Sequence, residues 1–159
     1  MPTDLAAVIA ALLKQRKETL AVAESSAGGL INAALVAVPG ASAYYLGGCI
    51  VYTAASRGFL GIGTTDMAGM RSASEPYAQL VARRVREKLG ATWGLSETGA
   101  AGPTGNRYGD AAGHACFAVS GPVESVITIE TGSADREANM AAFARRALGE
   151  LIAALRSAG

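Results

Sequence analysis

The spacing of apolar residues predicts a helix near each end of the chain. Close to the N-terminus, apolar side chains recur every three or four residues, as they do on one face of a helix: Leu5, Val8, Ile9, Leu12 and Leu13. Thr3 is predicted to cap this helix. A longer helix is predicted from Ser133 onward, with an apolar face formed by Leu148, Leu151, Ile152 and Leu155.

Apolar and β-branched runs between these helices predict about five strands. The runs are residues 18–25, 43–53, 91–99, 114–121 and 124–132. The last two meet at Gly121–Pro122, which favours an antiparallel pair. Gly47 and Gly48, inside the second run, predict a bulge or a close approach of two backbones.

Two further predicted helices alternate with the strands. One spans residues 28–40 and closes at a Pro-Gly pair, and the other begins at the N-cap Ser74 and ends at Gly90. Residues 54–63 predict a short helix or a turn. This order predicts one α/β domain over residues 1–159, a three-layer helix–sheet–helix sandwich around a mixed sheet of about five strands.

Composition narrows the classes of function. Half of the 159 residues are hydrophobic, 17% are charged and the formal net charge is +1, so we expect a globular domain that binds neither nucleic acid nor a membrane surface. No apolar run reaches the roughly eighteen residues of a membrane span, and the N-terminus lacks the order of a signal peptide, which predicts a cytoplasmic protein. Cys49 and Cys116 are predicted to be buried and reduced, although a disulfide between them stays open.

The candidate chemistry lies in two loops that follow predicted strands, where open α/β sheets bind their ligands. In the first, Glu24-Ser25-Ser26 precedes Gly28-Gly29, so a serine lies on a strand-to-helix turn that could expose a nucleophile or offer amides to an anion. Ordinary helix capping explains the same residues, and this stretch alone favours capping. The second loop, residues 98–105, is rich in glycine but matches neither the Walker nor the dinucleotide-binding fingerprint.

Tyr52 and Arg57 follow the second strand and add a proton donor and a planar cation to the candidate site. His114 is the only histidine, and its place just inside a strand favours a structural role over a catalytic one. Asp110 and His114 are the only local pair of metal-ligand types, so no metal site is predicted.

Six motifs in a fixed order make the chain resemble the CinA C-terminal domain family, whose characterised enzymes are nicotinamide-nucleotide amidases. The family's AES-[CS]-T-GG pattern is matched at residues 23–29. The other matches are PGAS at 39–42, the GG-to-tyrosine strand and turn at 47–57, SEP at 74–76, TG-x-AGP-x-G at 98–105 and DRE at 135–137. Together they span about residues 20 to 150.

The resemblance implies hydrolysis of the carboxamide of nicotinamide mononucleotide to nicotinate mononucleotide and ammonia. By position, Ser25 would attack the amide carbonyl, and Tyr52 and Arg57 would take the places of the proton-handling residues. The residues that would hold the substrate are Glu24, Ser26, Gly28, Gly29, Thr98, Gly99, Gly102, Gly105 and Arg136. The resemblance implies no cofactor and no metal.

The chain departs from the family pattern at the position of a lysine, which here is Arg57. A guanidinium stays protonated in proteins and is therefore no substitute for a lysine that acts as a base. Two hypotheses remain. The chain is a nicotinamide-nucleotide amidase with altered or lost activity, or it binds a nucleotide or another anionic ligand in the same cleft without this catalysis. In both, the partner is a small nucleotide-like molecule, and the alanine-rich helices favour a homo-oligomer.

Overall fold

The computed structural model describes residues 1–159 and contains four α-helices and five strands. In chain order these are α1 (Thr3–Arg16), β1 (Leu20–Glu24), α2 (Leu30–Val36), β2 (Tyr45–Ile50), α3 (Glu75–Leu89), β3 (Trp93–Ala100), β4 (His114–Ser120), β5 (Ser125–Glu130) and α4 (Arg136–Ser157). Two short 3₁₀ helices, Ala41–Ala43 and Ala54–Leu60, flank β2. The predicted strands are therefore confirmed, and residues 54–63 begin with a short helix.

The strands form one mixed sheet in the order β2–β1–β3–β4–β5. Strand β1 is parallel to both β2 and β3, whereas β4 is antiparallel to β3 and to β5. The predicted antiparallel pair at the end of the chain is confirmed. Because β1, β2 and β3 run in the same direction, the loops that follow them emerge at one edge of the sheet.

Helices cover both faces of the sheet, which confirms the three-layer sandwich. Helices α1, α2 and α4 pack together on one face, and α3 packs alone on the other. Alternate residues of β1 point to opposite faces of the sheet. Leu20 and Val22 belong to the core under α1, α2 and α4, and Ala21 and Ala23 belong to the core under α3. A strand covered on both faces has no solvent side, which explains its unbroken apolar run.

The helix ends match the predictions in part. Ser74 caps α3 through its side chain, and Gly90 ends that helix in the left-handed conformation at φ +63°, as predicted. The prediction for Thr3 is wrong, because Thr3 is already the first residue of α1. Helix α4 begins at Arg136 and not at Ser133, since the side chain of Asp135 accepts a hydrogen bond from the amide of Ala138 and caps the helix there.

Strands β1 and β2 lie unusually close where Gly48 faces Val22. The register shifts at the start of this pair, and a Cβ on Gly48 would lie 1.9 Å from the carbonyl oxygen of Val22. The predicted bulge and close approach are thus both present. Cys116 is buried and Cys49 is partly exposed, and both are free thiols with pKa values raised by burial.

No helix combines the length and the apolar character needed to cross a lipid bilayer.

Candidate functional site

Two adjoining cavities open at the edge of the sheet where β1, β2 and β3 end. The first, of about 410 Å³, we call the serine cavity; it is lined by Ser25, Tyr52, Thr53, Ala54, Arg57, Ser72, Ala73, Thr98, Gly99, Asn106, Arg107 and Tyr108. The second, of about 210 Å³, we call the glycine-loop cavity; it is lined by Ser26, Tyr52, residues 99–102, Thr104, Gly105, Asn106 and Arg136. They share Tyr52, Gly99 and Asn106 and so form one continuous cleft.

The turn that carries Ser25 is held from below by the carboxylate of Glu97 in β3. Its oxygens accept hydrogen bonds from the amides of Ser25 and Ala27, each at 2.9 Å, and from the hydroxyl of Ser26. Glu97 is only 1% exposed. This burial raises the pKa of its carboxyl against the opposing effect of the three donors. Glu97 therefore fixes the shape of the turn from a strand about seventy residues away in sequence.

Glu24 serves the fold and does not reach the cleft. Its carboxylate accepts hydrogen bonds from the amides of Gly29, Ile31 and Asn32 at 2.8–3.2 Å and from the Asn32 side chain at 2.7 Å. The N-terminus of α2 thus already holds an anion of the protein itself. Glu24, Gly28 and Gly29 were predicted to hold a ligand, but none of the three lines either cavity.

The three predicted catalytic residues do line one cavity, but they do not form a hydrogen-bonded triad. The Ser25 side chain is partly exposed, and its Oγ makes no hydrogen bond with any protein group. The Tyr52 hydroxyl accepts a hydrogen bond from Arg136 Nη2 at 2.9 Å. Arg57 donates through Nη2 to Ser72 Oγ at 2.9 Å, and its guanidinium lies over the Tyr77 ring, 5.4 Å from the centroid. Arg57 is thus held in place as a cation.

Four backbone amides of residues that line the cleft have no protein acceptor. The amides of Ser25 and Ala27 are taken by Glu97, but the intervening amide of Ser26 donates to no protein group. In the glycine-loop cavity the amides of Gly102, Thr104 and Gly105 likewise donate to no protein group. Free amides that converge on a concave surface are a common way to bind anionic oxygens.

The remaining predicted ligand residues do line the cleft. Gly99 borders both cavities, and Thr98 borders the serine cavity while its hydroxyl accepts a hydrogen bond from the amide of Ala73 at 3.1 Å. Arg136 crosses from the start of α4 to donate to the carbonyl oxygen of Gly102 as well as to Tyr52. Arg136 therefore joins the glycine loop to Tyr52, one of the three residues that both cavities share.

Sequence reasoning missed two residues of the cleft wall, Ser72 and Asn106. Asn106 shapes its loop, because its side-chain oxygen accepts hydrogen bonds from the amides of Tyr108 at 3.0 Å and Asp110 at 3.1 Å. An asparagine that bonds to the amide two residues ahead is a recognisable turn signal and could have been found. Ser72 precedes the SEP motif without a local signal, and only the tertiary fold brings it to Arg57.

Tyr108 completes the wall opposite Arg57. Its hydroxyl lies 3.3 Å from Ser72 Oγ and accepts a hydrogen bond from Arg107 Nη2 at 3.1 Å. The contact with Ser72 and the two arginines at positions 107 and 57 lower the pKa of the Tyr108 phenol. The cations at positions 107 and 57 thus act on the same hydroxyl group.

His114 and Asp110 lie behind the cleft wall and do not line it. The His114 ring contacts a Glu130 carboxylate oxygen through Nδ1 at 2.6 Å and the carbonyl oxygen of Ala73 through Nε2 at 2.7 Å. Asp110 pairs with Arg71 at 2.6 Å. Burial lowers the pKa of His114, but the contacts with Glu130, Ala73 and Asp110 outweigh it and the pKa is raised. The expected structural role of His114 fits these contacts.

The raised pKa of His114 predicts a loss of thermal stability as the pH rises. Protonated His114 stabilises the fold fully below about pH 6.5, the value of a free histidine, and this contribution disappears as the pH rises through the folded-state pKa. We expect the melting temperature of the wild type to fall as the pH rises above about 6.5, and the fall to be absent in His114→Asn. If the melting temperatures of the two proteins changed with pH in the same way, this role of the only histidine would be contradicted.

A separate cavity of about 350 Å³ lies between the N-terminus, α2 and α4 and is lined by Met1, Pro2, Leu30, Ala141 and Arg145. It holds no candidate nucleophile, and its one arginine is paired with Asp4. Nowhere in the structure do three or more His, Cys, Asp or Glu side chains group as metal ligands would. The candidate nucleophile and the unpaired cations of the candidate site therefore lie in the cleft and not in this separate cavity.

Sequence comparison places nearly the whole chain in one family. The model of the CinA C-terminal domain matches residues 2–155. A CinA-like protein of Prochlorococcus marinus (strain MIT 9313) is 43% identical over 120 residues, which cover 75% of this chain and 28% of that protein. A CinA-like protein of Acaryochloris marina is 43% identical over 119 residues, 74% of this chain and 28% of that protein. The chain thus spans little more than a quarter of the length of these relatives.

Solved structures agree with this assignment over the full fold. A competence-damaged protein (CinA) superfamily protein from Klebsiella pneumoniae superposes with a TM-score of 0.91 at 27% identity and covers 98% of both chains. The competence/damage inducible protein CihA from Agrobacterium tumefaciens superposes with a TM-score of 0.86 at 29% identity and covers 97% of this chain and 94% of its own. The chain therefore belongs to the CinA C-terminal domain family.

Proposed function

We propose that the cleft binds nicotinamide mononucleotide and hydrolyses its carboxamide, with Ser25 as the nucleophile. The observation that carries this proposal is the position of Ser25. It lies on a turn held by Glu97 and lines the serine cavity without a protein partner for its Oγ, and the amide of Ser26, which lines the adjoining glycine-loop cavity, has no protein acceptor. A serine followed by a free amide is the arrangement that supplies a nucleophile together with an oxyanion donor.

The reaction consists of two balanced steps. Ser25 Oγ bonds to the amide carbon, the C–N bond breaks, and the proton from Oγ passes by way of Tyr52 to the leaving nitrogen, which departs as ammonia. Water then attacks the resulting ester, releases the acid nucleotide and returns a proton to Ser25 Oγ. The amide of Ser26 stabilises the oxyanion in both steps.

The phosphate of the nucleotide fits the glycine-loop cavity. Three free amides of the loop and the guanidinium of Arg136 supply hydrogen-bond donors and positive charge there. Arginine binds phosphate through two parallel hydrogen bonds, and backbone amides donate further hydrogen bonds to the phosphate oxygens. The continuity of the two cavities at Tyr52 then allows one nucleotide to reach from the glycine loop to Ser25.

The proposal is tested by ammonia release from nicotinamide mononucleotide. Removal of the nucleophile in Ser25→Ala is expected to lower the turnover rate by about 10³-fold or more, because no covalent ester can form. The matched control is Ser42→Ala, which removes an exposed serine hydroxyl far from the cleft and should leave the rate unchanged. Equal rates for Ser25→Ala and wild type would reject Ser25 as the nucleophile.

A second candidate function, binding without turnover, is favoured by the environment of Arg57. This residue stands at the position of the family's lysine, stays protonated, and donates to Ser72 and not to Ser25. Ser25 Oγ makes no hydrogen bond with any protein group in the structure. Under this candidate, nicotinamide mononucleotide raises the melting temperature by mass action without releasing ammonia, and Arg57→Lys introduces turnover. A wild type that releases ammonia steadily would rule it out.

A further inference from the structure

The cleft concentrates positive charge that the protein leaves uncompensated. Three arginines line it, namely Arg57, Arg107 and Arg136, and none has a carboxylate within ion-pair distance. No aspartate or glutamate lines either cavity. The whole chain carries a net charge of only +1, so this excess is local to the cleft.

Outside the cleft three arginines are ion-paired and five are not, so the feature that distinguishes Arg57 is the state of its buried Nε and not the lack of an ion pair alone. Arg71 pairs with Asp110 at 2.6 Å, Arg84 with Asp66 at 2.5 Å and Arg145 with Asp4 at 2.9 Å. The buried Nε of Arg57, by contrast, has no hydrogen-bond partner at all. An unpaired guanidinium at a half-buried position is costly, which indicates that a ligand anion completes its surroundings.

The unpaired arginines fall into two groups at the two ends of the cleft. Arg136 lies in the glycine-loop cavity, and Arg57 and Arg107 lie in the serine cavity with the Tyr108 hydroxyl between them. A phosphate in the glycine loop satisfies only the first group. The second group needs an anion of its own, close to Ser25.

We infer that the cleft is built for a nucleotide with two anionic ends, a phosphate at the glycine loop and a carboxylate in the serine cavity. The planar fork of Arg57 matches a carboxylate, and its donation to Ser72 leaves Nη1 free. This inference rests on the proposed function only in that the cleft accepts a pyridine nucleotide. It adds that the acid form, nicotinate mononucleotide, binds more tightly than the amide form.

Charge on the ligand ring points the same way. The pyridine ring of both nucleotides carries a positive charge, so an amide form places a cationic ring without compensation beside Arg57. A carboxylate on the ring provides a negative charge that compensates the positive charges of the pyridine ring and of Arg57. The Tyr52 ring lines the same cavity, and an aromatic ring attracts a cationic ring, whereas the Tyr108 ring already lies within 5.2 Å of the guanidinium carbons of Arg71 and Arg107.

The test compares the affinities of the two nucleotides by isothermal titration calorimetry. Titrations use the full chain carrying Ser25→Ala, so that the amide form stays intact. We expect the Kd of nicotinate mononucleotide to be at least about tenfold lower than that of nicotinamide mononucleotide, because a hydrogen bond between two charged groups is stronger than one to a neutral amide. Equal affinities, or tighter binding of the amide form, would overturn the inference.

Substitutions of Arg57 and Arg107 test whether these two residues cause the preference for the acid form, and a substitution of Arg136 serves for comparison. Arg57→Met keeps the aliphatic packing on the Tyr77 ring but removes the charge, and the ratio of the two Kd values is expected to approach one. Arg107→Gln alters an exposed side chain and is expected to weaken the acid form more than the amide form, which keeps the test decisive if Arg57→Met fails to fold. Arg136→Gln is expected to weaken both forms alike, since both carry the phosphate.

The control Arg83→Gln removes one exposed positive charge on α3 outside the cleft and should leave both Kd values unchanged. A preference that survives both Arg57→Met and Arg107→Gln would overturn the assignment to these residues. The outcome is separable from hydrolysis. Acid preference without ammonia release supports this inference and rejects catalysis, and ammonia release without acid preference does the opposite.

Discussion

Glu97→Ala is expected to destabilise the protein by about 3 kcal/mol or more and to abolish ligand binding. The substitution leaves three buried donors without an acceptor, and each such group costs about 1–3 kcal/mol. It also frees the turn that positions Ser25, so the loss extends from stability to the cleft. Urea denaturation gives the free energy of unfolding directly.

The matched variant Glu97→Gln tests whether the turn is stabilised by the hydrogen-bond acceptors of Glu97 or by its negative charge. Glutamine fills the same volume and keeps one carbonyl oxygen for the amides of Ser25 and Ala27. Because burial already raises the pKa of Glu97, loss of the charge itself is expected to cost less than loss of the acceptors. The prediction is therefore that Gln retains most of the stability that Ala loses. Equal destabilisation by the two variants would show that the charge, and not the hydrogen bonds, holds the turn.

Gly48→Ala is expected to destabilise the protein by about 3 kcal/mol or more, at the upper end of overpacking substitutions. The new Cβ would lie 1.9 Å from the Val22 carbonyl oxygen and 2.4 Å from Asn32 Oδ1, so β2 must move away from β1. The two strands end in the segments that carry Ser25 and Tyr52, and their separation also widens the serine cavity. The free energy of unfolding and nucleotide affinity should fall together.

Gly149→Ala is the control for this second prediction. Gly149 lies inside α4, and a Cβ there would meet no atom within 4 Å. Alanine is the better helix former by about 0.8–1.0 kcal/mol, so this variant should be slightly more stable than the wild type. Destabilisation by both variants to the same extent would mean that the contact of Gly48 with β1 is not the cause.

The fold could be predicted from local patterns because each element carries its own signal. The apolar run of β1 reflects burial on both faces of the sheet, and Ser74 and Gly90 mark the ends of α3 by their side-chain and backbone chemistry. The start of α1 was missed by one residue, since a threonine one position too late resembles a cap in sequence. Boundaries depend on backbone angles that the residue types permit but do not impose.

The site could be predicted only where a motif brings its residues together locally. Ser25 and Arg136 both line the cleft, and each belongs to a contiguous motif that sequence alone reveals. Glu24 belongs to the same motif as Ser25, but it is the last residue of β1 and its carboxylate bonds to the N-terminus of α2, whereas Ser25 lies on the turn that follows. The roles of Glu97 and Ser72 depend on contacts with other segments of the chain, and no local spacing encodes such contacts.

The most direct test of the account is the conversion of nicotinamide mononucleotide by the purified wild-type chain, with ammonia and nicotinate mononucleotide measured in the same reaction. The account predicts that the two products form in equal amounts and that Ser25→Ala forms neither. Binding of the nucleotide with no ammonia above the level of Ser25→Ala would contradict amide hydrolysis and leave the cleft as a binding site.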